Sequence, residues 1–416
     1  MFCQKCKKMD EWSIRRKFIF MLSFIVGMGL IGYLLLVFVY LIPAEYMQKN
    51  MIRSARVFEK STYPQLMGTR NSQLDNWTDA LMLLNASHVE ESESVFEQAI
   101  NVKRYKVPDN NPHQTLINIY EDSGTEYIEL SYARYWHGYL IFLKPLLALF
   151  DYGTIRYILM FFQLGIFVIL IVNLVMVNKR IAISTFLMWL FLNPAATMIS
   201  LQFSTITDIT LLAMLGIILG DKHLKNCKFV WNIYFCAIGG LTSYFDLLTY
   251  PLVCLGVPLT LWLFFNCSKN AGGGYKQCLT KSIFWAIGYL GMWSSKWILG
   301  SVISHTNVIE DALKAIHTDS IGDTAVSAIE TIQRNLSAST PLIECIVISE
   351  IVLLLVSIVK FKRISWKTIY FIICLYPFMW YLVATNHSFI HFWFTYRNLA
   401  VSVYAFAVWT VAAFTE

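Results

Sequence analysis

Long apolar runs, bordered on alternate sides by Lys and Arg, constrain this chain more than any other feature. A helix needs about 20 apolar residues to cross a hydrocarbon core about 30 Å thick. Backbone polar groups in that core must be satisfied within the segment, so each run must be helical. The runs cover 18–43, 154–178, 181–199, 203–220, 229–248, 249–266, 282–303, 342–360, 368–385 and 398–414. Only 14% of the residues are charged, against roughly a quarter in soluble domains. The expectation is an all-α integral membrane protein with about ten transmembrane helices.

Loop charge orients those helices. Counted alternately, one set of loops carries Lys179 and Arg180; Lys222, Lys225 and Lys228; Lys269, Lys276 and Lys281; and Lys360, Lys362, Arg363 and Lys367. The short loops of the other set carry very little Lys or Arg. The positive-inside rule makes the basic set cytoplasmic and puts both termini there. The net charge of +6 is therefore a topology signal and gives no reason to expect nucleic acid as a partner. The basic segment 1–17 reads as a cytoplasmic tail, and 18–43 as a retained first span, because its apolar run is too long for a secretory signal and no cleavage site follows.

Two segments are then external. The first, 44–153, is expected to carry helices at 76–86 and 91–105. Near its end, the apolar stretch from Trp136 to Leu147 is short and broken by Lys144-Pro145, and reads as an interfacial or re-entrant helix. The second external segment, 304–341, is expected to hold an amphipathic helix near 323–335. Spans two to seven fill 154–303 and spans eight to ten fill 342–416. Gly272-Gly273-Gly274 lacks the context of a phosphate loop and reads as a turn. Of nine cysteines, none lies in the long external segment, which argues against a disulfide framework. Cys3-x-x-Cys6 is half of a zinc pattern with no second pair nearby, so that tail is read as frayed and no metal ligand is assigned.

Chemistry-bearing residues gather on the external side. Asp75 and Asp79, four apart in Leu74-Asp75-Asn76-Trp77-Thr78-Asp79, share one helix face near the outer membrane surface. Either can serve as a general base towards a hydroxyl; either can also cap or complement the start of that helix. Gln202, Asp208, Asp246, Lys296, His387, His391 and Arg397 lie at the outer ends of spans, and Glu350 midway along the eighth. Ionisable groups at such depths usually face a bundle interior or a wet cavity, although Asp246 and Lys296 could equally form a structural ion pair. Arg134, Lys296 and Arg397 suit a lipid phosphate, the arginines through bidentate hydrogen bonds. Tyr132, Tyr135, Trp136 and His137 form an aromatic patch beside Arg134, read either as interface belt or as a platform for a sugar ring.

This layout resembles the GT-C class of polytopic glycosyltransferases, which use polyprenyl-phosphate sugars. The likeness lies in the order of parts: a first span, a large external loop with surface helices and an acidic motif, then many spans. Asp75-Asn76-Trp77-Thr78-Asp79, Ser243-Tyr244-Phe245-Asp246-Leu247-Leu248-Thr249-Tyr250-Pro251 and Phe394-Thr395-Tyr396-Arg397 look like stretches of bacterial surface-polysaccharide proteins. The resemblance implies an enzyme of the bacterial cell membrane working on its outer side. A lipid-linked sugar would be donor and a glycan or lipid-linked molecule the acceptor, amid membrane lipids. Asp75 or Asp79 would be the base of an inverting transfer, with Arg134, Lys296 and Arg397 on the phosphate. Tyr135, Trp136, His137, Asp208, Asp246, His387 and His391 would line the substrate site. Some members use a divalent cation; no spaced ligand set here requires one. The competing readings are a polymerase or ligase acting on undecaprenyl-pyrophosphate glycans, a lipid or polysaccharide transporter, and a non-catalytic scaffold.

Overall fold

The computed structural model describes residues 2–338 apart from 60, 122–123, 225–226, 267–270 and 321–325; a few isolated positions between 344 and 355; and residues 368–413. The expected eighth span, with Cys345 and Glu350, lies almost wholly outside the described residues. The described chain is nearly all helix, with one two-stranded antiparallel ribbon, Arg104–Lys106 (β1) against Ile128–Leu130 (β2).

The N-terminal segment is not a frayed tail. Phe2–Asp10 forms a helix (α1), and Asp10 turns back to accept hydrogen bonds from Lys228 N (3.0 Å) and Phe229 N (2.6 Å). A layer of shorter helices then comprises Glu45–Ala55 (α3), Asn76–Ser87 (α4), Val95–Asn101 (α5), Pro112–Glu121 (α6) and Leu140–Leu149 (α7). The helix expected over 91–105 is thus short and gives way to β1. The bundle comprises Ile14–Tyr40 (α2), Tyr152–Val177 (α8), Lys179–Phe191 (α9), Pro194–Thr197 (α10), Leu201–Leu224 (α11), Lys228–Phe245 (α12), Val253–Asn266 (α13) and Ala271–Ile303 (α14). Beyond it come Val308–Ser320 (α15), Ala328–Ala338 (α16), Ile369–Cys374 (α17), Tyr376–Val383 (α18), Thr385–Ile390 (α19), Phe392–Thr395 (α20) and Ala400–Ala413 (α21). Among the described helices, α2, α8 and α11 are each long and apolar enough to cross a membrane by length and composition.

One apolar run breaks where composition alone did not show it, and one boundary between runs falls where expected. The run at 181–199 ends as α9 at Phe191, because Asn193 takes φ +60 and Pro194 cannot continue the ladder. The runs at 229–248 and 249–266 are separated by a bend at 246–252, where Leu248 takes φ +60.

Helix directions follow from pairs of contacts. Gly32 packs against Tyr244 and Met292, while Met28 meets Gly240 and Met21 clusters with Phe229, so α2 and α12 run parallel. Lys281 Nζ donates to Asn232 Oδ1 below, and Trp136 touches both Tyr244 and Met292 above, so α14 runs with them. In the same way α8, α11 and α13 are parallel: Tyr152 Oη lies 3.4 Å from Leu201 N, Thr207 pairs with Tyr250, and Thr210 with Cys254. The two groups oppose each other, since Gly216 meets Tyr234 and Gly220 meets Trp231. Arg397 bonds Leu192 O while Thr185 bonds Tyr404, which makes α9 antiparallel to α21. The α12–α14 crossing is glycine-dependent: a Cβ on Gly239 would stand 2.0 Å from Trp285 O, and one on Gly288 1.9 Å from Cys236 O. Cys6, Cys236, Cys254 and Cys278 are free thiols.

Candidate functional site

The layer of shorter helices is fastened to one end of the bundle by two buried lysines. Lys144 Nζ donates to Ala86 O (2.7 Å) in the last turn of α4, and Lys296 Nζ to Ile100 O (2.6 Å) in the last turn of α5. Each therefore satisfies a carbonyl that its helix leaves unpaired, at the negative end of the helix dipole. The Arg134–His137 segment is held on α14: Trp136 Nε1 donates to Met292 O (2.6 Å) and Trp297 Nε1 to Arg134 O (3.0 Å). Gly138 N donates to Tyr244 O (2.9 Å), an approach that leaves no room for a Cβ, which would lie 2.3 Å from the Tyr244 ring.

Between this layer, the start of α11, the bend after α12, and helix α15 lies an open cleft of about 630 Å³. Asp75, Trp77 and Thr78 form one wall at the start of α4. That helix is buried on every side except at Trp77 and Thr78, so the cleft is where its surface becomes accessible. Tyr132, Arg134 and Tyr135 form a second wall; Asp311, Lys314, Ala315, Thr318 and Asp319 of α15 a third; His387, His391 and Phe394 a fourth.

Asp75 has both expected roles within reach. Its Oδ1 accepts from Thr78 N (3.0 Å) and its Oδ2 from Thr78 Oγ1 (2.9 Å), so it is the N-cap of α4. It is also only 3% exposed at the cleft wall, and burial pushes its carboxyl up to about 7, the Thr78 bonds opposing and the nearby Asp79 charge adding to the rise. Asp79 differs in kind. It is fully buried and does not line the cleft. Tyr152 Oη donates to it at 2.6 Å, Gln202 N at 3.0 Å and Ser200 Oγ at 3.3 Å, and Arg156 stands 3.6 Å away. Burial raises its pKa against the pull of Arg156, and it works as a fastener joining α4 to α8 and to the N-terminus of α11.

The expected phosphate-binding trio separates. Arg134 borders the cleft, lying over the Tyr132 and Tyr135 rings at 4.8 and 5.4 Å and pairing with Asp311 at 3.3 Å. Lys296 is consumed by Ile100, not by Asp246 or the cleft. Arg397 is fully buried, donating to Leu192 O (2.8 Å), Asn71 O (3.2 Å) and Trp393 O (3.4 Å) and resting 4.5 Å from the centre of the Phe203 ring. Lys314 supplies the cleft's second cation instead.

The expected substrate-binding set also divides. Tyr135, His387 and His391 line the cleft. His387 Nε2 donates to Leu248 O (2.8 Å) and its Nδ1 faces Asp319 at 3.5 Å; burial holds His391 down to about 3, so its imidazole is neutral at pH 7. Trp136 and His137 are packing residues: His137 is pinned between Tyr132 O (2.8 Å) and Tyr139 Oη (3.0 Å), and burial lowers its pKa to about 3. Asp208 sits on α11 away from the cleft, and Asp246 holds the α12–α13 bend by accepting from Thr249 N (2.9 Å) and Oγ1 (2.5 Å). Helix α15 was missed by sequence reading, although Asp311, Lys314, Ala315, Thr318 and Asp319 repeat at the three-and-four spacing of one helix face.

A second, narrower slot of about 200 Å³ adjoins the cleft. The two share Arg134, Tyr135, Ala315, Asp319 and His387. The slot is otherwise apolar, walled by Tyr289, Leu290, Trp293, Ile316 and Val383 among others, and Leu290 and Val383 are open on the bundle's outer surface. Among the described residues no group of three His, Cys, Asp or Glu side chains is arranged to hold a metal ion. Comparison with protein-family models, curated proteins and solved structures finds no match.

Proposed function

We propose that this chain is a membrane glycosyltransferase of GT-C type, with ten crossings, cytoplasmic termini and an external cleft. The relative directions of α2, α12 and α14, of α8, α11 and α13, and of α9 and α21 among the described residues support that topology. The observation that carries the activity is the junction of a polar cleft with an apolar slot through shared Arg134 and His387 walls. That shape suits an amphiphile whose anionic head stops at the junction and whose tail leaves towards lipid. A polyprenyl-phosphate sugar has this form.

In this reading Arg134 and Lys314 hold the phosphate and the Tyr132–Tyr135 rings carry the sugar. An acceptor hydroxyl gives its proton to Asp75 while its oxygen bonds the anomeric carbon. The carbon–oxygen bond to phosphate breaks with its electron pair staying on the lipid phosphate. A base whose pKa lies near the working pH is best placed for this task, and Asp75 at about 7 meets that condition. Attack opposite the leaving group inverts the anomeric centre.

The test is transfer by purified protein in lipid nanodiscs, offered labelled polyprenyl-phosphate sugars and, separately, pyrophosphate-linked oligosaccharides. Label moving to an acceptor from the monophosphate donors supports the reading. Transfer from the pyrophosphate oligosaccharides alone overturns it in favour of a polymerase or ligase.

A further inference from the structure

A cavity of about 620 Å³ lies at the opposite end of the bundle, between α2, α12 and α14. Its walls change character along its length. Met21, Leu22, Ile25, Phe284 and Ile287 make the deep part apolar, with Leu22 and Ile287 exposed on the outer surface of the helices. At the mouth stand Lys17 and Lys228. From Ile14 to Ile25 the groove follows α2 for about 16 Å at 1.5 Å per residue, close to one leaflet of a bilayer whose core is about 30 Å thick.

The mouth carries a net positive charge that its own acid does not cancel. Asp10 also borders the cavity, but both its carboxylate oxygens are taken by Lys228 N and Phe229 N at the start of α12. Lys17 Nζ spends one hydrogen on Asp10 O (2.6 Å) and lies 5.6 Å from the Phe229 ring centre, leaving two further N–H donors. Lys228 is exposed. Arg15 and Arg16 adjoin, on the face that loop charge makes cytoplasmic.

We propose that this groove binds an anionic phospholipid of the cytoplasmic leaflet, its phosphate on Lys17 and Lys228 and one acyl chain along Met21, Ile25 and Phe284. Basic recesses between spans on the cytoplasmic side are suited to acidic headgroups, and charge complementarity selects an acidic lipid over a zwitterionic one. The lipid also covers the apolar opening between α2 and α14. The site stands apart from the external cleft and does not depend on the activity proposed for it.

Native mass spectrometry of the full chain, released from detergent and titrated with phosphatidylglycerol or phosphatidylcholine, tests it. The wild type is expected to retain phosphatidylglycerol in preference to phosphatidylcholine. Lys17→Ala and Lys228→Ala should each weaken phosphatidylglycerol about fivefold and leave phosphatidylcholine unchanged, as expected for one surface charge near an acidic headgroup. Leu22→Trp, which fills the groove from its exposed side, should weaken phosphatidylglycerol with both lysines in place. A Lys17→Arg, Lys228→Arg variant keeps the charge and should restore binding, which separates lost contact from lost fold. Equal retention of the two lipids by wild type, or phosphatidylglycerol binding undiminished in both the alanine variants and Leu22→Trp, overturns the proposal.

Discussion

Replacing Asp75 with Asn separates the cap from the base. Asn accepts from Thr78 N almost as well as Asp does, so the start of α4 should survive. The difference lies in ionisation. Burial moves the Asp75 carboxyl from 3.8 to about 7, and an acid raised in the folded state weakens the fold wherever it must ionise. Below about pH 4 the carboxyl is protonated folded or unfolded, and the effect vanishes. Between about pH 4 and 7 the unfolded chain releases the proton first, so stability falls as pH rises, then levels off once the folded carboxyl ionises too. At 1.36 kcal/mol for each pKa step the full effect is up to roughly 4 kcal/mol. The Asn variant should therefore melt with wild type near pH 4 and above it at pH 8, measured by thermal unfolding in nanodiscs. Transfer activity should fall by about 10²–10⁴ at pH 8, where the wild-type carboxyl is ionised, and the gap should narrow towards low pH because the wild-type rate rises with pH through about 7. A melting difference that is the same at pH 4 and pH 8 would refute the reasoning, because it would mean the carboxyl ionises as if solvated.

Asp79→Asn should behave in the opposite way: Arg156 keeps its bond to Asn76 Oδ1 (2.7 Å) but loses its charged partner, and the joint between three elements weakens, a loss of about 1–3 kcal/mol read as a lower melting temperature at pH 7. Arg134→Gln should cost less than about 1 kcal/mol in stability, since its partner Asp311 is more than half exposed, yet raise the KM for a lipid-phosphate donor at least tenfold. Lys296→Met leaves the Ile100 carbonyl unpaired at a cost of about 1–3 kcal/mol, and limited proteolysis should then cut first near α5.

Helix direction was the most legible property of the sequence. Lys and Arg in alternate loops suggest a sense for each expected span, and the relative directions in the Thr185–Tyr404, Leu192–Arg397 and Thr207–Tyr250 contacts agree with it among the described helices. Helix ends were less legible, because mean hydropathy does not register a break such as Asn193-Pro194 inside an apolar run. At the site, the aspartate pair was visible as a pattern, but not that Tyr152 and Gln202 would saturate one member while the other kept an open side. Arg397 and Lys296 looked alike as outer-end cations. Their partners, Asn71 O and Ile100 O, lie 326 and 196 positions earlier in the chain, beyond any local pattern. Helix α15 escaped because its charged face carries the signal and its apolar face buries little beyond Val308 and Ala312.

The two lysine fasteners also impose an order of synthesis. Helices α4 and α5 emerge early, but the donor for Ala86 comes from residue 144 and the donor for Ile100 only from residue 296. Until the ribosome has delivered α14, the last turn of α5 has no cation to rest on, and Trp136 has no Met292 carbonyl to hold it. The layer is thus synthesised long before its last fasteners can form. Most of its apolar core can close among residues before 160, and the completion of α14 adds Met292 to that core and the Lys296 bond to the end of α5.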